Sequence, residues 1–480
     1  MTLVQLRKSG PLVEPLKENQ PEPPRALKTL ARIVDGDLCH RCGSCVGICP
    51  TSVLSVSEEG YPVVKNLSSC TDCDLCVKVC PGDEFSVPSL AKELFDAVPE
   101  IWDMHGHIKQ AYLSYATKYG IREGSTSGGT ITGLLISMLE HGQIDGAVLV
   151  ASDSETPWKG KPILARTKEE ILSTMKSKYA IAPTNAMLEQ VIQNEGRYAI
   201  VGLPCQIHGY LKAAELNKKI KERIVLSIGL FCHAAVEHDP MHAIWSGIDD
   251  KIKAKTKRFI SRIGKHPGTP HLELEDGSHY PVYFPKASSY RPSSLEILNI
   301  LYRLYTPSRC MTCYDSTAEF ADIAVGDPWM APPDDSIDFH QGYSFVLGRT
   351  DRGVAALENA KAKDDIKLIS ITTEHAKSSN VMMGHEKRGR AFRIIETRRR
   401  QGLPIPEYGI KIPKARGKEF ILTEINIFTH IFCFLDWKYT KLAILKLSLS
   451  PVGYYALWLN YIKRQFRNWR RDTLYKLKNR

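Results

Sequence analysis

Hydrophobic and polar positions change period several times along this chain, and each change marks an element. Ile131, Leu134, Leu135, Met138 and Leu139 share one helical face, following the loop Gly124-Ser-Thr-Ser-Gly-Gly129. After the turn His141–Asp145, Ala147-Val-Leu-Val150 reads as a strand, as do residues 162–166. A helix is expected from about Lys168 to Lys176. Tyr198-Ala-Ile-Val201 is apolar without alternation, as in a strand buried on both faces. Gln206–Ala214 reads as a helix, Ile224–Phe231 and Ala321–Val325 as strands, and Leu272–Val282 alternates like an antiparallel pair. From about residue 108 this succession predicts an α/β domain. A helical stretch around Ser89–Asp103 leads into it, with Ser86 as a plausible N-cap. Pro404–Pro413 reads as an extended linker. Beyond it, Glu419–Leu449 is apolar but interrupted by Glu424, Asp436, Lys438, Lys441 and Lys446, so a transmembrane helix is not expected.

The cysteines change the picture most. Cys39, Cys42, Cys45 and Cys49 have the spacing C-x2-C-x2-C-x3-C, followed by Pro50. Cys70, Cys73, Cys76 and Cys80 repeat it, followed by Pro81. This is the run of a bacterial two-cluster ferredoxin, in which the fourth cysteine reaches the other cluster. The expected quartets are therefore Cys39, Cys42, Cys45 and Cys80 for one [4Fe–4S] cluster, and Cys70, Cys73, Cys76 and Cys49 for the other. Structural zinc and disulfides are the competing readings, and the triple run with its proline argues against both.

Five cysteines remain: Cys205, Cys232, Cys310, Cys313 and Cys433. Cys205 follows one strand in Gly202-Leu-Pro-Cys-Gln206, and Cys232 ends another in Gly229-Leu-Phe-Cys232. Cys310 and Cys313 form a C-x2-C. Carboxyl ends of neighbouring strands are where α/β folds build sites, so these four could ligate a third cluster. The alternative is that Cys205 and Cys232 are ordinary buried small residues. His208 and His233 flank the cysteines and could donate a hydrogen bond or a proton.

Single-electron clusters need a two-electron partner, and a flavin would serve. The loop Ser125, Thr126, Ser127, Gly128, Gly129 and Thr130 is a candidate phosphate cradle ahead of a helix, although such loops are often only caps. Lys178, in Ser177-Lys178-Tyr179, could add a cation. Asp327, in Gly-Asp-Pro-Trp, is a candidate flavin contact or a simple turn carboxylate.

Composition and charge bound the rest. The 480 residues suffice for several domains, and the 43% hydrophobic and 24% charged content is ordinary for a globular protein. Met1–Arg25 is polar and Pro-rich, expected mobile, and lacks a secretory apolar core. Together with thiolate clusters, which need a reducing compartment, this makes a cytoplasmic location the expectation. The net charge is +11, and residues 451–480 hold eight Lys/Arg against Asp472, giving +7 of it. The basicity belongs to the tail, so no nucleic-acid role is expected. The tail interleaves Tyr454, Tyr455, Trp458, Tyr461, Phe466 and Trp469 with those cations. It suits peripheral contact with an anionic membrane, or docking on its own domain.

The set Gly124–Gly129, Ser177-Lys178-Tyr179, Gly202-Leu-Pro-Cys-Gln206, Gly229-Leu-Phe-Cys232, Cys310-x2-Cys313 and Ala321-Asp-Ile-Ala-Val-Gly-Asp327 resembles the coenzyme F420 hydrogenase/dehydrogenase beta-subunit family over roughly residues 105–400. The resemblance implies FAD, a [4Fe–4S] cluster on Cys205, Cys232, Cys310 and Cys313, and oxidoreduction linking coenzyme F420 to a ferredoxin or another redox protein. A chlorophyll-reductase-like, ferredoxin-dependent reductase of an organic substrate and a relay subunit of a larger complex are the alternatives. The expected fold is an α+β ferredoxin-like N-terminal module, an α/β flavin-binding domain and a mostly helical C-terminal tail. The expected boundaries are a flexible 1–30, the ferredoxin-like 31–85, the flavin and cluster domain 105–400 and the basic extension 411–480.

Overall fold

The centre of the fold is an eight-stranded mixed sheet. It is seen in a computed structural model that describes residues 22–264, 268–282, 293–413, 417–435 and 437–478. The expected mobility of residues 1–21 lies outside the described residues. The first two strands, β1 (Leu54–Val56) and β2 (Pro62–Val64), form a small antiparallel pair in the cysteine-rich N-terminal part. The large sheet is built from β3 (Gln110–Ala116), β4 (Gly146–Ser152), β5 (Gly160–Ala165), β6 (Tyr198–Gly202) and β7 (Ile224–Leu230). A separate antiparallel sheet follows, of β8 (Thr256–Ile263), β9 (Thr269–Leu274) and β10 (His279–Pro281). The large sheet is completed by β11 (Ile323–Gly326), β12 (Ser344–Gly348) and β13 (Ile366–Ser370), in the order β13-β3-β12-β11-β7-β6-β4-β5.

β4, β6, β7 and β11 run parallel in the middle, while β5 at one edge and β12, β3 and β13 at the other each pair antiparallel with their neighbours. The parallel strands are those with continuous apolar runs, because helices cover both of their faces. Neighbouring residues of β3 show the two cores: Tyr112 and Ala116 enter one, Ala111 and Leu113 the other. The expected helix after the Gly/Ser loop is Thr130–Glu140, and the expected Gln206–Ala214 extends to Pro204–Leu216, with proline in its first turn.

Several expectations change. The helix Arg25–Asp35 buries Leu27, Leu30 and Val34, so ordered chain begins inside the span expected to be flexible. The helix expected around Ser89–Asp103 is Val87–Phe95; it ends at Asp96 in the left-handed region (φ 52°), and Pro99 lies beyond. Ser86 Oγ pairs with Ser89 Oγ at 2.7 Å and does not cap the backbone. The helix expected at Lys168–Lys176 stops at Ser173.

Pro404–Pro413 is extended but is not a spacer. Its Glu407 and Tyr408 carbonyls accept from the N–H groups of Phe85 (2.8 Å) and Val87 (3.0 Å), and the Tyr408 hydroxyl donates to the Thr312 carbonyl at 3.0 Å. Ile405, Ile410 and Ile412 pack on the core. The segment straps the N-terminal part to the large sheet.

The tail is helical, as Gly417–Thr429, Lys438–Ser448 and Pro451–Lys478. Among the described residues no single helix is long and apolar enough to cross a membrane. Lys438–Ser448 and Pro451–Leu459 pass that test only when joined, and they are bent by 63°.

Candidate iron–sulfur and flavin centre

The duplicated cysteine box folds the same way twice. Two residues after the first cysteine of each copy, Arg41 and Asp72 are left-handed (φ 56° and 53°); four residues after it, Gly43 and Asp74 are too (φ 87° and 61°). Alternation of left- and right-handed residues turns successive N–H groups inward, which suits an anionic cluster. The Arg41 N–H already points at Cys39 Sγ, 3.4 Å away. Burial, then the thiolates of Cys39, Cys42 and Cys80, raise the Cys45 thiol. Burial, then Cys49, Cys73 and Cys70, push Cys76 up to about 12. The neighbours are those the crossed-ligand spacing demands. Cys39, Cys42, Cys45 and Cys80 line one cavity together.

Cys205, Cys232, Cys310 and Cys313 also converge. Burial followed by Cys313, Cys42, Cys232 and Cys310 raises Cys205. Cys205 stands in the first turn of Pro204–Leu216 after β6, and Cys232 follows the adjacent parallel strand β7. Cys310 and Cys313 come from the 3-10 turn Ser308–Thr312 and the residue after it. Among the described residues no three His, Cys, Asp or Glu side chains close tightly enough to hold one metal ion. Cys433 stands apart, with its Sγ 3.2 Å from the carbonyl oxygens of Tyr302 and Arg303.

Close approach brings the first and third cysteine groups together. A Cβ on Gly47 would lie 2.1 Å from the Asn185 carbonyl, and one on Gly209 would lie 2.2 Å from Ser44 Oγ. Asn185 bonds both sides: its Nδ2 donates to Ser44 Oγ (2.8 Å) and to the Gln206 carbonyl (2.7 Å). Buried Arg309 donates to the carbonyls of Leu38 (3.0 Å) and Gly82 (3.3 Å) and to the Tyr408 hydroxyl (3.1 Å).

Buried polar groups surround the third quartet. Lys387 Nζ is fully enclosed and donates to the carbonyls of Cys232 (2.7 Å) and Asp315 (2.6 Å). Burial opposes its charge, but Cys313, Cys232, Asp315 and Cys310 outweigh it and raise its pKa. His208 Nε2 lies 3.0 Å from the Asp315 carboxylate, and its ring stacks on Phe85 at 3.9 Å. His208 thus orients Asp315, whereas His233 is held neutral by burial and by Arg390 and Lys387.

The Gly/Ser loop lies against the segment Met175–Lys178. Ser177 N–H donates to Thr126 Oγ1 (3.2 Å), and Lys176 Nζ donates to the Ser125 carbonyl (2.9 Å). The other members of the loop have internal partners. Ser127 Oγ donates to the Tyr343 carbonyl, Thr130 Oγ1 to Ser114 Oγ (2.9 Å), and the Gly128 N–H to Ser344 Oγ (3.2 Å). Gly129 is left-handed (φ 74°) at the helix start. Lys178 Nζ bonds the carbonyls of Thr174 and Met175, while burial and then Arg258 push it down to about 7. Burial, Arg258 and Arg262 push Lys176 down to about 8. Such crowding of cations fits an anion as bulky as a pyrophosphate. Asp327 accepts from Arg262 Nη1 at 2.7 Å, so its carboxylate holds a cation of this group. Tyr302 joins the two regions: Tyr179, Cys232, Cys310 and Arg262 are all close enough to act on its hydroxyl.

Lys387, Arg309, Arg258 and Arg262 gave no local signal. Charged residues are usually solvated, and only the packing of distant elements shows Lys387, Arg309 and Arg262 to be enclosed and Arg258 half-buried.

Residues 111–189 and 195–374 match the N-terminal and C-terminal parts of the coenzyme F420 hydrogenase/dehydrogenase beta subunit, and residues 31–81 match a 4Fe-4S dicluster domain. The chain belongs to the coenzyme F420 hydrogenase/dehydrogenase beta-subunit family, as an iron–sulfur electron-transfer protein. Among curated relatives, it is 29% identical over 361 residues to a coenzyme F420-dependent sulfite reductase of Methanocaldococcus jannaschii, covering 71% of this chain but 49% of that protein. It is 27% identical to a subunit of the F(420)H(2) dehydrogenase of Methanosarcina mazei, covering 68% and 82% of the two chains. It is 26% identical to the coenzyme F420 hydrogenase subunit beta of Methanothermobacter thermautotrophicus, covering 63% and 99%.

Proposed function

We propose that the chain is an FAD- and iron–sulfur-dependent oxidoreductase that exchanges electrons between coenzyme F420 and a ferredoxin or another redox protein. The observation that carries the reading is the serial placement of three thiol quartets leading to a group of buried and part-buried cations, Lys176, Lys178 and Arg262. Cys76 adjoins Cys45, Cys42 adjoins Cys205, and Tyr302 separates Cys232 and Cys310 from Tyr179 and Arg262.

Bound FAD would supply exchange between hydride and single-electron chemistry, and the clusters would supply one-electron carriage. Ser125, Thr126, Lys176 and Lys178 would hold the flavin phosphates, and Arg258 and Arg262 would add to the field. Cys39, Cys42, Cys45 and Cys80 would hold one cluster; Cys49, Cys70, Cys73 and Cys76 a second; Cys205, Cys232, Cys310 and Cys313 a third. Burial raises the thiols of Cys39, Cys42, Cys45, Cys76, Cys80, Cys205, Cys232 and Cys310, so their ligation of a cluster would release protons. Lys387 and the inward N–H groups offset thiolate charge. Phe85, Tyr314 and Tyr408 are buried between the parts and exclude water. Cys73, exposed in the outermost quartet, marks the face for a redox partner.

Anaerobically prepared protein tests this. About twelve irons per chain, extractable FAD and bleaching of reduced F420 with a viologen acceptor are expected. Iron near four per chain, or flavin without bleaching, overturns it.

A further inference from the structure

The C-terminal helix Pro451–Lys478 carries an apolar stripe that stays largely exposed among the described residues. Val452, Tyr455, Leu459, Ile462, Phe466 and Trp469 recur at alternating steps of three and four residues, which keeps them on one face. They are 71%, 68%, 53%, 44%, 61% and 62% exposed, and Trp458 beside them is 41% exposed, whereas Leu457 is buried. Docking on the chain's own domain, the ordinary use of such a helix, would have covered the stripe. Exposed Lys463, Arg467 and Arg470 run alongside it, each one turn from the next or nearly so.

We infer that this helix is a docking surface for an anionic phospholipid bilayer, lying in the plane of the interface. Aromatic and aliphatic side chains would enter the acyl boundary, and the flanking cations would reach the headgroups. Charge decides between occupants. Residues 451–470 contain no acidic side chain, so self-pairing through the stripe would add cation to cation with no carboxylate to offset it. An anionic surface attracts Lys463, Arg467 and Arg470, at about 1 kcal/mol for each cation. The bend of 63° between Lys438–Ser448 and Pro451–Leu459 lets the last helix leave the body of the protein at an angle.

The test uses the full chain with its cofactors and sedimentation with vesicles of phosphatidylcholine, alone or mixed with phosphatidylglycerol. Binding to the mixed vesicles is expected, with roughly a hundredfold weaker partitioning for K463Q/R467Q/R470Q. W458S/W469S is expected to abolish it while leaving viologen-linked turnover unchanged. Equal binding to neutral and mixed vesicles overturns the inference. So does no vesicle binding, whether the chain is monomeric or forms a dimer by light scattering that W458S/W469S dissociates. None of these outcomes touches the redox reading, which rests on other residues.

Discussion

Lys387→Met should lower the reduction potential of the cluster held by Cys205, Cys232, Cys310 and Cys313. The ammonium is tied to the backbone of Cys232 and Asp315 at 2.7 and 2.6 Å, out of contact with water. Reduction adds a negative charge beside it. At a separation of about 6 Å and an effective dielectric of about 20, that attraction is worth about 2.8 kcal/mol. With about 59 mV for each tenfold change in a one-electron equilibrium, the loss corresponds to on the order of 100 mV. Methionine keeps most of the side-chain volume, so the effect is electrical and not a cavity. Redox titration followed by electron paramagnetic resonance reads the shift. The two clusters of the N-terminal part, farther from Lys387, serve as internal standards. A third-cluster midpoint within about 20 mV of the parent protein, with the other two unchanged, would refute the reasoning.

Two further outcomes are expected. Lys178 is pushed down to about 7 in the flavin-free protein, so above that pH it must take up a proton to meet a phosphate. FAD affinity should therefore be level below about pH 7 and fall by up to about tenfold per unit above it. Lys178→Met should bind more weakly and keep only the fall that Lys176, pushed down to about 8, brings above that pH; fluorescence titration that finds the parent level to about pH 9 counts against the site. Asp322 accepts from Ser227 N–H (2.8 Å), Ser227 Oγ (2.8 Å) and Thr350 Oγ1 (2.7 Å), and it is paired with Arg352 (2.9 Å). Asp322→Ala leaves the buried Ser227 donors and Thr350 Oγ1 unmatched at the β7–β11 junction, while half-exposed Arg352 turns to water, and should cost about 1–3 kcal/mol by anaerobic chemical denaturation, with an unchanged midpoint speaking against it.

What the sequence determined by itself is whatever is encoded locally. The cysteine spacing fixes which thiols can reach a common cluster, because three residues of chain have a limited reach. The apolar runs of β4, β6 and β7 fix buried strands, since only burial on both faces tolerates such runs. The tail's stripe and charge are likewise periodic properties of one helix. Strands β3, β12 and β13 are not legible in the sequence: β3 and β12 lie inside the sheet, and their antiparallel pairing joins segments more than two hundred residues apart, which no local pattern records. Pro404–Pro413 read as a spacer because its backbone is extended. That the same backbone binds Phe85 and Val87 depends on a segment more than three hundred residues earlier. Likewise, the run Glu386-Lys387-Arg388-Gly389-Arg390 looks solvated in one dimension. Only the tertiary structure encloses Lys387 beside the thiols, because the carbonyls and carboxylate that make a buried cation tolerable come from β7 and from the turn around Asp315.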